Sequence, residues 1–276
     1  MNNMTRRFSF CAAIVALALS SGIAAAQDCK PQHVFKTVKE GYLTVAVTTL
    51  APFSYLDGDT LKGIDGDIAA EFAKRECLKM NPVQVDPAAA IQSVVSGQAD
   101  ITVGNWYRTE KRSKVLNMSY PLYLDQSAII SKDGYKTVKE FEGKNVGTVQ
   151  GYLFVDDLKK ILGDNLKLYP NAAAVFDDMK AGRLDAAIDG YAGSVEAVKA
   201  GALAGLKVEV MGKDERVKAS LEPGQATFPY AFGAEEFGAA LDAVLQDMQK
   251  EGLTRKIIEQ NGLDGSAGDT GAPRML

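Results

Sequence analysis

From residue 43 onward the apolar positions keep two alternating rhythms. LTVAV (43–47) is a compact β-rich run, and residues 65–74 place Ile68, Ala69, Phe72 and Ala73 at helical spacing. Asp65 or Asp67 is positioned to cap that helix, because a carboxylate there accepts free backbone N–H groups. A strand at 83–85, a helix at 88–95 and a strand at 101–103 follow. A second series runs strand 144–149, helix 155–162, strand 166–168, helix 172–180 and strand 186–188. Two amphipathic helices, 236–249 and 254–259, end the pattern. Strands alternating with helices predict an α/β fold of mainly parallel sheets flanked by helices.

Two stretches share one plan. Residues 88–105 read AAAIQSVVSGQADITVGN and residues 172–190 read AAAVFDDMKAGRLDAAIDG. Each runs from three alanines through a helix to a G-x-x-D turn and an apolar strand. Each also occupies the same place in its own series, so the chain reads as two lobes built alike. Ligands of open α/β sheets sit beyond the C-terminal strand ends. Residues 48–53 and 104–107 of one lobe and 150–152 and 189–191 of the other therefore line one cleft if the lobes face each other.

Composition narrows the setting. Arg6 and Arg7 precede an apolar stretch, FSFCAAIVALALSSGIA, and Ala24-Ala25-Ala26 suits a cleavage site before Gln27. Residues 1–26 are read as a signal peptide, which places the remainder in the periplasm. No later segment is long and apolar enough to span a bilayer. The formal net charge is −4 with no basic block, which argues against nucleic acid as a partner. Outside the leader, Cys29 and Cys77 are the only cysteines. An oxidising compartment favours a disulfide between them, the alternative being one buried and one exposed thiol. His33, the single histidine, is read as a surface residue, and no metal site or cofactor is expected.

Seven pieces in order carry a resemblance: LTVAVTTLAPFSY (43–55), LKGIDGDIAAEFAK (61–74), SGQADITVGNWYRTEKR (96–112), SYPLY (119–123), FEGKNVGTVQG (141–151), AGRLDAAIDG (181–190) and LQDMQKEGLTRKI (245–257). Together they resemble the periplasmic solute-binding proteins, family 3, that feed polar amino acids to ABC importers. The resemblance implies a type II periplasmic binding protein fold, with two α/β lobes joined by two hinge strands. Carried over, the crossings fall near 121–131 and 227–233. Lobe one comprises 27–125 plus 229–264 and lobe two 126–228, with 265–276 a loose tail. It further implies a small carboxylate ligand, an inner-membrane ABC permease as partner, a monomer, and no enzymatic activity.

Arg112 matches the family arginine that holds the ligand α-carboxylate, and a guanidinium presents two parallel donors that fit one. Thr109 is placed to cap a helix opening at Glu110, which would turn free N–H groups toward the same anion. Thr48 stands nearest the usual ammonium-binding aspartate, and Leu50 replaces a stacking aromatic. The aspartate of the second lobe aligns with Gly190, and Asp189 lies one position earlier. Because side chains alternate along a strand, that shift can turn the carboxylate away. Tyr107 and Tyr152 stand where the family has small residues, beside Trp106 and Phe154, for which core packing is the simpler reading. Asn105, Gln150 and Gly151 complete the ligand-binding set. The second function considered is a dehydratase of the same fold acting on a cyclic prephenate-like acid, for which Asp189 is the one candidate general acid.

Overall fold

The computed structural model describes residues 29–276; the signal-peptide reading of residues 1–26 lies outside them. The chain opens with β1 (Tyr42–Val47), a hairpin of β2 (Tyr55–Asp57) and β3 (Thr60–Lys62), and α1 (Ile64–Arg75). It continues through β4 (Lys79–Gln84), α2 (Pro87–Val95), β5 (Ile101–Val103), β6 (Asn117–Met118), β7 (Leu124–Asp125) and β8 (Ser127–Ser131). Next come α3 (Val138–Phe141), β9 (Val146–Val149), α4 (Val155–Leu162), β10 (Leu166–Tyr169), α5 (Ala172–Lys180), β11 (Ala186–Gly190), α6 (Tyr191–Lys199) and β12 (Lys207–Val210). The chain ends with β13 (Gly224–Gln225), β14 (Pro229–Tyr230), α7 (Glu235–Lys250) and α8 (Leu253–Gln260).

These strands form two five-stranded sheets of one design. The first has the order β4-β1-β5-β14-β6 and the second β10-β9-β11-β8-β12. In each, three neighbouring strands run parallel and the fourth is antiparallel to the third. The repeated stretches become α2–β5 and α5–β11, the equivalent crossover of each sheet. Strands covered on both faces read as continuous apolar runs, and β1, β5 and β11 are buried almost throughout. α7 and α8 return to the first sheet, where Phe237, Leu241, Val244 and Ile258 share a core with Ile68 and Phe72 of α1. Among the described residues, no helix is long and apolar enough to cross a membrane.

The two sheets are linked through a short ladder of β7 with β13, Gly224 opposite Asp125 and Gln225 opposite Leu124. The return crossing therefore lies before the span expected at 227–233, because Pro229 and Tyr230 already pair with Met118 and Asn117 in the first sheet. Three other expectations are corrected. Neither Asp65 nor Asp67 caps α1, whose N-cap is Gly63. Gly63 has φ +93°, and a Cβ there would meet Phe53 O at 2.5 Å, so the chain passes too close for any side chain. Asp65 instead turns its carboxylate inward. His33 is not a free surface residue: its Nδ1 pairs with Oε1 of buried Glu76 at 2.7 Å, and Glu76 also accepts its backbone N–H. Finally, residues 265–276 are not loose. Gly265–Gly268 form a 3₁₀ turn, and Gln225 Nε2 donates to the carbonyls of Thr270 and Ala272, at 2.8 Å each.

Cys29 and Cys77 are joined in a disulfide across 48 residues of sequence. Closing a loop of that length restricts the unfolded chain by about 3–4 kcal/mol. Replacing both cysteines with serine is expected to lower the melting temperature by roughly 6–12 °C, read by calorimetry on the oxidised and variant proteins.

Candidate functional site

A cavity of about 280 Å³ lies where the C-terminal strand ends of the two sheets meet, toward the small end for small-molecule sites. From the first sheet come Thr48, Leu50, Asn105, Trp106, Tyr107 and Arg112; from the second come Tyr152 and Asp189. Gln150 and Gly151 do not line it and are exposed. β9 ends at Val149 and the chain turns at once, so Gln150 faces solvent while Tyr152 faces the cavity. Exposed Lys111 and Asp156, from opposite sides, form an ion pair.

The segment carrying Arg112 is fixed from behind by Asp65. Its Oδ2 accepts the N–H groups of Gly104 at 2.8 Å and Asn105 at 2.9 Å. Its Oδ1 accepts the Tyr123 hydroxyl at 2.6 Å. Tyr123 in turn stacks on Phe53, with centroids 5.2 Å apart. The turn requires Gly104, at φ +134°, because a Cβ would collide with Thr48 Oγ1. Thr48 donates its hydroxyl to Val103 O at 2.7 Å, so only its acceptor capacity remains for the cavity.

Arg112 is half-buried. Its guanidinium lies 4.7 Å from the Trp106 ring centroid, and Nη1 donates to Tyr107 O at 2.8 Å. Among the described residues, no carboxylate forms an ion pair with it. Burial pushes its pKa down to about 10, which leaves it charged at neutral pH. Thr109 Oγ1 accepts Arg112 N at 3.2 Å, but the N-cap of the turn is Lys111, without a side-chain cap. The helix, however, is one 3₁₀ turn over Arg112–Lys114, and the Glu110 N–H is taken by Leu276 O at 3.1 Å. The expected convergence of free N–H groups on an anion is therefore absent.

Three buried carboxylates surround the back of the site, and they differ in how well they are satisfied. Asp125 accepts Asn105 Nδ2 at 2.7 Å, the Tyr107 hydroxyl at 2.9 Å, and the N–H groups of Gln126 and Ala192 at 2.9 and 3.2 Å. Asp65 accepts the three donors already described. Asp189, 3% exposed, accepts only Gly190 N, at 2.7 Å. Burial, with Asp125 nearby, pushes the Asp189 carboxyl up to about 7. Burial likewise raises Asp65 and Asp125. Tyr152, beside both Asp189 and Arg112, has its hydroxyl raised well above the usual tyrosine value, mainly by burial.

Sequence reasoning missed one end of the cavity. Gln84 at the end of β4, Asp86 and Pro87 at the start of α2, and Asn171 to Ala173 at the start of α5 also line it. The Asp-Pro and Asn-Ala helix starts directly after strands β4 and β10 were the available signal, since these too are C-terminal strand ends. Phe154, taken as core, is 1% exposed and packs with Leu158 and Ile188 while one edge still reaches the cavity.

The sequence profile of the bacterial extracellular solute-binding proteins, family 3, matches residues 43–263. The lysine/arginine/ornithine-binding periplasmic protein of Escherichia coli K12 is 28% identical over 227 residues, 77% of this chain and 84% of that one. The L-cystine-binding protein TcyJ of the same strain is 23% identical over 256 residues, covering 90% and 92%. Among solved structures, an ancestral arginine-binding protein bound to arginine superposes with a TM-score of 0.72 at 27% identity, covering 80% of this chain and 98% of that one.

The raised Asp189 pKa has a stability consequence. The folded state holds its proton to about pH 7, whereas the unfolded chain releases it near 3.8. The folded state therefore binds the extra proton, and stability from this group falls as pH rises from about 4 to 7. Asp189→Asn is expected to raise the melting temperature of the protein without added ligand at pH 8 and to converge with the parent below pH 4. A difference independent of pH would show that the carboxyl is not held protonated.

Proposed function

Since the chain belongs to the bacterial extracellular solute-binding proteins of family 3, we propose that it captures an amino acid or a close derivative in the periplasm and hands it to an ABC permease. The observation that carries the reading is Arg112, a half-buried guanidinium in the cavity wall with no protein carboxylate against it. A ligand carboxylate supplies the missing partner through charge-assisted hydrogen bonds. Asp189, on the other sheet, is the least satisfied acidic group of the site and takes an amine of the same ligand. Trp106, Tyr152, Leu50 and Leu153 give the intervening wall its apolar and aromatic surface. The named relatives that bind lysine, arginine or cystine support the ligand class.

Capture follows from the two-sided construction. A zwitterion anchored to Arg112 on the first sheet and Asp189 on the second bridges both, and so favours the closed arrangement over an open one. The free-energy gain is the difference in ligand contacts between the two. Flexure falls on the segments around β7 and β13.

One observation favours the dehydratase as a second reading. A carboxyl titrating near 7 in a cavity flanked by tyrosines has the pKa of a general acid. Incubation with prephenate or arogenate separates the two, since ring aromatisation appears in absorbance and a binding protein gives none.

A thermal-shift screen of the proteinogenic amino acids, opine-like derivatives and organic acids is expected to show stabilisation by at least one amine-bearing carboxylate. Arg112→Ala is expected to weaken that ligand at least roughly thirty-fold by calorimetry while the protein still folds. Affinity for an amine-bearing ligand rises with pH through about 7 as Asp189 ionises, by about ten-fold between pH 6 and 8. Asp189→Asn flattens that profile. Unchanged affinity in Arg112→Ala would remove the guanidinium from the site.

A further inference from the structure

The C-terminal residues 269–276 lie beyond the span shared with the family, yet they run over the junction of the crossing strand and the Arg112 segment. Gln225 of β13, 1% exposed, is the node. Its Nε2 donates to Thr270 O and Ala272 O at 2.8 Å each, and its Oε1 accepts Arg274 N at 2.8 Å. Its backbone carbonyl accepts Arg108 N at 2.9 Å. The last residue pairs with the site segment in both directions: Leu276 N donates to Arg108 O at 3.0 Å, and Glu110 N donates to Leu276 O at 3.1 Å. Arg108 Nε reaches Arg274 O at 3.3 Å, while its Nη1 donates to the carbonyls of Met118 and Ser119. Outside this junction the tail is held by Arg255, bonded to both oxygens of Asp269 at 2.7 Å, and by Arg274, bonded to Glu222 at 2.9 Å.

We infer that residues 269–276 form a strap that positions the ligand-anchoring segment, with Gln225 as its buried fastening and Arg112 as the group it sets in place. The geometry has two consequences. Arg108 is clamped on both sides, by β13 and by the tail, and Glu110 is held by the tail, four and two residues before Arg112. Arg112 bonds back to Tyr107 O, so its guanidinium inherits the position of that clamped backbone. The strap also joins α8 on the first sheet, through Arg255, to Glu222 just before β13, and so spans the crossing segment that must flex. A strap fastened there sets how the anchor moves with the crossing strand. The role assigned to Arg112 rests on the solute-binding reading above.

The test uses the full chain with Gln225→Met, which keeps side-chain length and removes all three bonds to the tail. In the protein without ligand, the Glu110 and Arg112 amides are expected to exchange hydrogen at least roughly ten-fold faster. Trp106, the only tryptophan, lies under the Arg112 guanidinium, and its fluorescence is expected to become more accessible to acrylamide. L-arginine, used as the probe, is expected to bind roughly ten-fold more weakly by calorimetry. Arg274→Ala, on the outer side of the tail, tests the same claim should Gln225→Met not fold, with smaller changes in the same direction. Unchanged exchange and quenching would overturn the strap, as would faster exchange with unchanged L-arginine affinity, which would make the tail a stabilising element only. Failure of the parent protein to bind L-arginine counts against the amino-acid reading for that probe. Exchange and Trp106 quenching then decide the strap by themselves.

Discussion

A guanidinium held between an indole face and a peptide carbonyl, half withdrawn from water and without a carboxylate of its own, is the constraint on which the rest of the site depends. Transferring such a group out of water is costly unless an anion meets it. Among the described residues Arg112 is not relieved by any acidic neighbour, and it lies in the wall of a cavity shared by two sheets. The backbone that carries it must therefore be rigid. The rigidity comes from residues far away in sequence: Asp65 in α1 grips Gly104 and Asn105, and β13 grips Arg108. Tyr107 is pressed between Gly224, where a Cβ would clash with its ring, and the Asp125 carboxylate.

The buried acids divide the work according to their partners. Asp65 and Asp125, each with three or four donors, are structural: they fasten the segment before Arg112 to α1, to the crossing strand and to α6. Asp189 has one donor and faces the cavity, so the unfavourable field of three buried carboxylates is felt most where a ligand can relieve it. On the proposed reading, the electrostatic cost lies at the position where an amine of the ligand would remove it.

Much of this was legible in the sequence, and the misses have physical reasons. The spans at 101–103, 155–162 and 172–180 coincide with β5, α4 and α5, where period and punctuation agree. Strands β6, β7, β13 and β14 are two residues each, too short to show any period, and they exist because long-range pairing imposes them. α6 went unread because Gly193 weakens its helical pattern. A Cβ added at that glycine would meet Ala51 O at 3.4 Å and Leu50 Cδ1 at 3.5 Å, ordinary contacts, so space does not demand the glycine. Arg112, Tyr107 and Asp189, singled out in the sequence, do line the cavity. The outward turn of Gln150 and the fastening of the C-terminal residues belong to tertiary geometry, which no local pattern encodes.

The position of Asp189 shows how a departure from the family pattern is accommodated. By the sequence resemblance Gly190 aligns with a family aspartate, and a Cβ added there would lie 2.7 Å from Asp125 Oδ2. The missing side chain therefore leaves no void, because the space is taken by a carboxylate delivered from the crossing strand and already satisfied by four donors. With that volume filled, the acceptor open to a ligand shifts one residue back along β11, to Asp189, set beside Tyr152 instead of the family's smaller residue. The cavity keeps one pole fixed at Arg112 and displaces the other. On the proposed reading, that rearrangement, more than any single substitution, sets the choice of amine-bearing ligand.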